Sequence, residues 1–232
     1  MLIGPQNLAE NLSFVRSRIA AACRAAGRAE ESITLVAVTK TQPVETVQAA
    51  HSLGLTDFGE NYPQEALPKI AALAPDAAQW HFIGQLQSNK TRAVATHFAW
   101  VHGVDRLSIA RRLSEQRPFH GPLLNVCLQV KLAEESGKGG IAPEALVGLV
   151  DDVQALPRLK LRGLMCIPPP ATEPVTQRGY FRRLRELLED LRSRGYALDS
   201  LSMGMSADYE LAIAEGATHV RIGTALFGPR ET

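Results

Sequence analysis

Lys40 is the residue best placed in this sequence to act as a nucleophile. It follows residues 33–39, an apolar run with almost no polar interruption. A run that is apolar on both faces is typical of a strand inside a parallel sheet, where both faces are covered. We therefore expect Lys40 at the edge of a core, where low-dielectric surroundings lower the pKa of its ammonium and make it reactive toward aldehydes. The alternative is a lysine that extends from a strand end into solvent.

Two later segments carry the small residues and donors that bind phosphate. Ser206 ends one strand-like segment and precedes residues 207–210, a candidate first helical turn with free N–H groups. Gly223 and Thr224 end the last strand-like segment, and they offer close backbone approach and a hydroxyl donor. The structural alternatives are an N-cap at Ser206 and an ordinary turn at Gly223 and Thr224. Together with Lys40, these residues favour a phosphorylated aldehyde cofactor.

Arg221 is a charged residue in an otherwise apolar segment, and a buried guanidinium needs a partner. Opposite a pyridine nitrogen, an arginine would keep that nitrogen unprotonated and so weaken the ring as an electron sink. The alternative is a carboxylate in a buried ion pair.

These residues fall at strand ends in a chain that alternates strand and helix patterns. The segments that indicate strands are 33–39, 57–59, 81–83, 100–103, 123–130, 161–167, 201–205 and 219–223. The intervening amphipathic stretches include 44–53, 62–73, 107–116, 143–156, 181–194 and 208–215. This alternation predicts an α/β fold, a single (β/α)8 TIM barrel whose active site lies at the C-terminal ends of the strands. The alternative is an open doubly wound sheet, but no Gly-x-Gly-x-x-Gly turn follows the first strand.

One domain is expected over residues 1–232, because no linker interrupts the pattern. An extra N-terminal helix is predicted over residues 6–26, where apolar residues recur at steps of three and four before Gly27.

The bulk composition excludes several classes of partner. The 232 residues carry a net charge of +1, which gives no field to gather nucleic acid or an anionic membrane. No apolar run approaches the ~20 residues that cross a bilayer. The three cysteines are odd in number and lack metal-type spacing, which indicates neither disulfides nor zinc and fits the reducing cytoplasm. Mixed-charge outer helices favour a monomer.

Six segments along the chain form a specific combination of motifs: residues 37–41, 58–62, 80–90, 161–165, 202–206 and 220–228. Together they closely resemble the pyridoxal phosphate homeostasis protein family. The resemblance covers essentially the whole chain, and the run Trp-His-Phe-Ile-Gly at residues 80–84 is especially specific. Members look like the barrel domain of alanine racemase standing alone, which implies the same barrel and pyridoxal 5′-phosphate (PLP) as cofactor.

The resemblance implies a role for each candidate residue. Lys40 would form the internal aldimine with PLP, and Ser206, Gly223 and Thr224 would hold its phosphate. Arg221 occupies the position that faces the pyridine nitrogen.

Other positions are weaker candidates. Asn61 and His81 end strands two and three and are expected to line the pocket with Met205, although a hydrogen bond at the rim would equally explain the first two. Lys138 matches a lysine of a glycine-rich loop thought to contact or receive the cofactor. Gln42 stands where members often carry a second lysine, so a cofactor transfer assigned to that lysine has no counterpart at this position.

The expected function is that of a carrier, which holds PLP, limits its free level and releases it to PLP-dependent apoenzymes without substantial catalysis. The alternative is an amino-acid racemase or a related PLP enzyme, which needs a second proton donor or acceptor on the opposite face of the cofactor. In the racemase that group is a tyrosine of a separate domain, which is not expected in a chain that ends at Thr232. A third possibility, a class I aldolase-like barrel, needs an acid/base set that is not evident near Lys40.

Overall fold

Eight parallel strands form a closed barrel in the computed structural model, which describes residues 5–133, 139–171 and 173–229. The strands follow one another around the barrel in chain order, and the last pairs with the first. They are β1 (Thr34–Val38), β2 (Asp57–Glu60), β3 (Gln79–Phe82), β4 (Trp100–Val104), β5 (Leu124–Gln129), β6 (Leu159–Met165), β7 (Ser200–Met205) and β8 (His219–Ile222). The predicted TIM barrel is confirmed, and the doubly wound alternative is wrong.

Each predicted strand is present, with ends that differ from the prediction by at most two residues. The patterns were readable because parallel strands are covered on both faces and are therefore apolar throughout. In β1, for example, Val36 and Ala37 are completely buried.

The helices surround the barrel. They are α1 (Pro5–Ala25), α2 (Val44–Ser52), α3 (Pro63–Ala71), α4 (Thr91–His97), α5 (Leu107–Gln116), α6 (Leu146–Gln154), α7 (Pro174–Ser193), α8 (Tyr209–Ala214) and α9 (Thr224–Phe227). The predicted N-terminal helix is confirmed as α1, whose apolar face is buried through residues such as Leu12 and Val15. Within the described ranges, no helix combines the length and apolarity needed to cross a membrane.

Three helices differ from the sequence prediction. The helices α4 and α9 were not predicted, because each is too short to show two turns of apolar spacing. The helix α7 begins seven residues before the predicted residue 181. Pro174 occupies its first turn, where a proline costs no hydrogen bond.

Histidine and tryptophan rings fill part of the barrel interior. The rings of Trp100 and His219 lie 4.7 Å apart between centroids, and those of His81 and His102 lie 5.1 Å apart. Aliphatic side chains dominate most barrels of this type. The interior of this barrel is therefore unusually polar, and its rings need hydrogen-bond partners.

Candidate functional site

A cavity of about 270 Å³ lies at the C-terminal ends of the strands. Its volume is near the lower end of the ~300–1,000 Å³ usual for small-molecule sites. This one cavity is lined by residues that the sequence predicted separately as the reactive amine, as phosphate-binding groups or as other pocket residues. They are Lys40, Asn61, Met205, Ser206, Arg221, Gly223 and Thr224. The structure thus brings the end of β1 against the ends of β7 and β8.

Lys40 lies two residues beyond the end of β1 and is half-buried. The next residue, Thr41, has a φ of 66°, a left-handed conformation that is rare for a β-branched residue. Two hydrogen bonds hold this turn: Thr41 N–H donates to Glu65 Oε2 at 3.0 Å, and Gln42 N–H donates to Thr39 O at 2.9 Å. These hydrogen bonds therefore hold the backbone of the two residues that follow Lys40.

A buried ion pair lies behind this turn. Lys69 Nζ is 2.7 Å from Glu60 Oε1 and 2.8 Å from the carbonyl oxygen of Thr39. Thr39 Oγ1 donates to the same carboxylate oxygen at 2.7 Å. Burial raises the pKa of Glu60, while the hydrogen bonds from Lys69 and Thr39 oppose that shift. The pair joins α3 to the ends of β1 and β2, and so supports the segment that carries Lys40.

Ser206 joins the ends of β7 and β8. The backbone N–H groups of Gly223 and Ala225 donate to Ser206 Oγ at 3.3 and 3.2 Å. Two N–H donors and a hydroxyl therefore converge at one point of the cavity wall.

The turn that presents Ser206 has its own supports. Asp208 Oδ1 accepts from the N–H of Met205 at 2.6 Å, and Asp208 Oδ2 accepts from Gln177 Nε2 at 2.8 Å. Gly204 adopts a φ of +90°, and a Cβ there would lie 2.6 Å from Ala212 Cβ. Only glycine fits this conformation and this space.

Arg221 lies on the cavity floor with only 4% of its surface exposed. Its Nη1 donates to Ser202 Oγ at 2.7 Å, and its Nη2 donates to the carbonyl oxygen of Cys166 at 2.9 Å. Burial lowers the pKa of Arg221, although an arginine stays charged at neutral pH. No carboxylate of the described residues forms a salt bridge with it, so the buried ion pair considered from the sequence is not found there.

The cavity wall is cationic and partly apolar. Lys40 and Arg221 line it, and the lining residues that the structure describes include no aspartate or glutamate. Apolar surface comes from Val38, Ile83, Ile167 and Phe227. Such a wall favours an anionic ligand with a flat apolar part.

Asn61 and His81 have different environments. Asn61 lines the cavity, and its buried Oδ1 has no hydrogen-bond partner among the described residues. His81, which was predicted to line the pocket, instead lies fully buried in the barrel below it. Side chains two residues apart in a strand share a face, so Ile83 reaches the cavity while His81 occupies the layer beneath.

Two further positions complete the comparison with the sequence prediction. Lys138 lies outside the described residues. Gln42, at the position of the second lysine, lines the cavity.

Several supporting residues were not found from the sequence. Asp208 could have been suspected, because an aspartate before α8 is a common helix-start residue. Glu60 and Lys69 gave no signal, since a lysine on an amphipathic helix is usually exposed.

Comparisons with known proteins identify relatives of this chain. The family model described as the alanine racemase N-terminal domain matches residues 5–231. The pyridoxal phosphate homeostasis protein of Pseudomonas aeruginosa is 58% identical over 224 residues, which cover 97% of this chain and 96% of that protein. The protein of the same name from Escherichia coli strain K12 is 48% identical and covers 97% of each chain.

A solved structure of a related protein has the same fold. PipY of Synechococcus elongatus with PLP bound is 37% identical, and it superposes with a TM-score of 0.84 over 95% of this chain and 100% of its own. The same protein without PLP gives a TM-score of 0.85 and 38% identity, with the same shares of the two chains covered. The chain therefore belongs to the alanine racemase N-terminal domain family and, within it, to the pyridoxal phosphate homeostasis proteins.

Proposed function

We propose that this protein binds PLP in the cavity at the barrel mouth and takes part in PLP homeostasis and delivery, without substantial catalysis. The observation that carries the proposal is the single cavity that Lys40 shares with Ser206, Gly223, Thr224 and Arg221. The names of the related proteins and the PLP-bound PipY structure support the same ligand.

The cavity residues fit this cofactor chemically. Two cations with no acidic side chain among the described lining residues suit a phosphorylated ligand. The unpaired Oδ1 of Asn61 leaves an amide available to a ligand. The apolar walls suit a flat ring.

Each residue then has a defined role. The bound cofactor supplies an aldehyde and a ring that can accept electrons. Lys40 Nζ would supply the amine that binds this aldehyde covalently, with loss of water. Ser206, Gly223 and Thr224 hold the phosphate, and Arg221 faces the ring nitrogen and keeps it unprotonated.

The arrangement favours a carrier over a racemase. An unprotonated ring nitrogen is a poor electron sink, which slows the loss of a proton from a bound amino acid. A racemase also needs a second proton-transfer group opposite the lysine. The described lining residues offer no histidine, tyrosine or carboxylate for that step. We therefore propose that the protein holds PLP reversibly and delivers it to PLP-dependent apoenzymes.

We also propose that residues 1–232 act as one domain and as a cytoplasmic monomer. In support of one domain, the described strands share one barrel. Size-exclusion chromatography with light scattering checks the monomer, and a dimer mass would overturn it.

The first prediction concerns Lys40. The purified protein incubated with PLP should absorb in the visible range, and borohydride should fix the cofactor to Lys40, as mass spectrometry of the digested protein would show. Lys40→Ala should abolish this absorbance, because Lys40 carries the only lysine amine among the described residues that line the cavity. Lys160→Ala removes an exposed lysine and serves as the control. Retained absorbance in the Lys40 variant would refute the assignment.

A second assay separates the carrier from the racemase. The PLP-loaded protein should exchange the α-hydrogen of amino acids with deuterium no faster than free PLP does. Exchange at an enzyme-like rate, followed by nuclear magnetic resonance (NMR), would favour the racemase.

A further inference from the structure

A continuous chain of hydrogen bonds crosses the barrel interior from the cavity floor to the opposite end. Arg221 Nη1 is 2.7 Å from Ser202 Oγ, which is 2.6 Å from His102 Nδ1. His102 Nε2 is 2.9 Å from His81 Nδ1, and His81 Nε2 is 3.0 Å from Asp57 Oδ1. Asp57 is the first residue of β2, so it lies at the end of the barrel away from the cavity.

The two ends of this chain fix its direction. A guanidinium can only donate hydrogen bonds, and an ionised carboxylate can only accept them. Ser202 therefore accepts from Arg221 and donates to His102 Nδ1. It follows that His102 carries its proton on Nε2, donates to His81 Nδ1, and leaves His81 to donate from Nε2 to Asp57.

The opposite direction is chemically unfavourable. It would leave the hydroxyl hydrogen of Ser202 without an acceptor, because the only partners of that oxygen among the described residues are His102 and Arg221. It would also point a nitrogen lone pair of His81 at the carboxylate of Asp57. Burying an unmatched polar group destabilises the folded protein.

The charges agree with this direction. His81 and His102 are completely buried. Burial lowers the pKa of His102 well below its usual value, and the charge of Arg221 lowers it further, so this ring is neutral at pH 7. Burial works against the charge of Asp57, but hydrogen bonds from His81 and Thr56 outweigh it and lower the pKa of that carboxyl. The hydrogen-bond chain therefore has a charge at each end and a neutral ring, that of His102, between them.

We propose that Asp57, His81, His102 and Ser202 are positioning residues for Arg221. They form a one-directional hydrogen-bond chain that fixes the orientation of the guanidinium and ends at the carboxylate of Asp57. The inference rests on the proposed function, in which Arg221 faces the ring nitrogen of the cofactor.

The position of Asp57 reconciles two requirements: a hydrogen-bonded carboxylate in the network and a cavity that can bind an anion. A carboxylate bound directly to Arg221 would balance the guanidinium, but it would also repel a phosphate and occupy the donors that the ligand needs. Placing the hydrogen-bonded carboxylate at the far end of the barrel keeps the cavity cationic. Asp208 also acts on the charge of Arg221, but only through its field and without a hydrogen bond in the described structure.

The first test uses the protein without cofactor. Nitrogen NMR of histidine-labelled protein at pH 7.5 should show His81 and His102 protonated only on Nε2. A proton on Nδ1 of His102, or on both nitrogens of His81, would overturn the proposal.

The second test asks whether the two ends are coupled. Asp57→Asn keeps an oxygen acceptor but removes the charge, and it should shift the nitrogen resonances of both His81 and His102. Asp199→Asn removes a partly exposed carboxylate at the same end of the barrel that pairs with Arg162, and it should leave the tautomer of His102 unchanged. A shift confined to His81 in the Asp57 variant would overturn the coupling.

The third test measures PLP affinity. Asp57→Asn and Ser202→Ala should each raise the PLP dissociation constant by roughly three- to tenfold, as expected for members of one hydrogen-bond network. Asp199→Asn should change it less than about twofold. Unchanged PLP affinity in both Asp57→Asn and Ser202→Ala would overturn the positioning role. Failure of the unmodified protein to bind PLP would instead refute the proposed function. The NMR spectra would still decide whether the hydrogen-bond chain from Arg221 to Asp57 exists.

Discussion

Among single side chains, the donors at the ends of β7 and β8 offer the most direct test of the phosphate position. Ser206→Ala together with Thr224→Val should raise the PLP dissociation constant by about a hundredfold or more, because each of the two lost hydrogen bonds to a charged group is worth about 1.5–3 kcal/mol. Titration monitored by visible absorbance measures the change. Ser17→Ala, at an exposed serine of α1, is the matched control. Unchanged affinity in the double variant would move the phosphate to another part of the cavity.

The buried pair behind Lys40 makes a separate prediction about stability. Lys69→Met should lower the free energy of unfolding by about 3–5 kcal/mol, because it leaves the Glu60 carboxyl buried without its cation. Glu60 is completely buried and Lys69 is 4% exposed, so solvent cannot take over the lost partner.

Urea denaturation of Lys69→Met, Glu60→Gln and the double variant measures the coupling between the two residues. The double variant should be more stable than Lys69→Met, since a neutral amide is less costly to bury than an unpaired carboxylate. Strictly additive effects would show that the ion pair contributes no interaction of its own.

Among the secondary-structure elements, the end of β7 depends on a glycine. Gly204→Ala should destabilise the protein by about 1–3 kcal/mol, because the residue has a φ of +90° and an added Cβ would lie 2.6 Å from Ala212 Cβ. It should also weaken PLP binding, since the same turn presents Ser206.

Gly148→Ala provides the matched control. Gly148 lies within α6, and a Cβ added there would meet nothing within 4 Å. This substitution should stabilise the protein by roughly 0.5–1 kcal/mol, because alanine is the better helix former. Thermal unfolding of the two variants should shift in opposite directions, and a shift in the same direction would contradict the structure.

For the barrel as a whole, the buried histidines predict a loss of stability on acidification. Burial lowers the pKa of His219 from 6.5 to about 3. Between these values the unfolded chain binds a proton that the folded protein does not, so the stabilisation is complete above pH 6.5 and declines as the pH falls. At pH 5 the loss from His219 alone should be about 2 kcal/mol.

The measurement is urea denaturation at pH 7.5 and pH 5. His219→Asn should reduce the dependence on pH, because it removes the titrating group and keeps a polar atom near Thr218, whose Oγ1 is 2.9 Å from His219 Nδ1. The matched control is His97→Gln, at an exposed histidine of α4. An equal pH dependence in the unmodified protein and the His219 variant would show that another group is responsible.

The amino-acid sequence alone was sufficient to predict the barrel and most of the cavity. Strand and helix patterns are local, and the C-terminal ends of parallel strands must meet at one end of a barrel, so Lys40, Ser206 and Thr224 were predicted to lie on the same rim. The motifs of the family then suggested a role for each residue.

Only the tertiary structure decided what lies beneath the cavity. His81 belongs to a deeper layer than predicted, and its partners His102 and Asp57 come from other strands. Ser202 is 100 residues from His102 in the sequence, yet their side chains share a hydrogen bond. Such contacts depend on the register between neighbouring strands and on the closure of the barrel, and no local sequence pattern determines either of them.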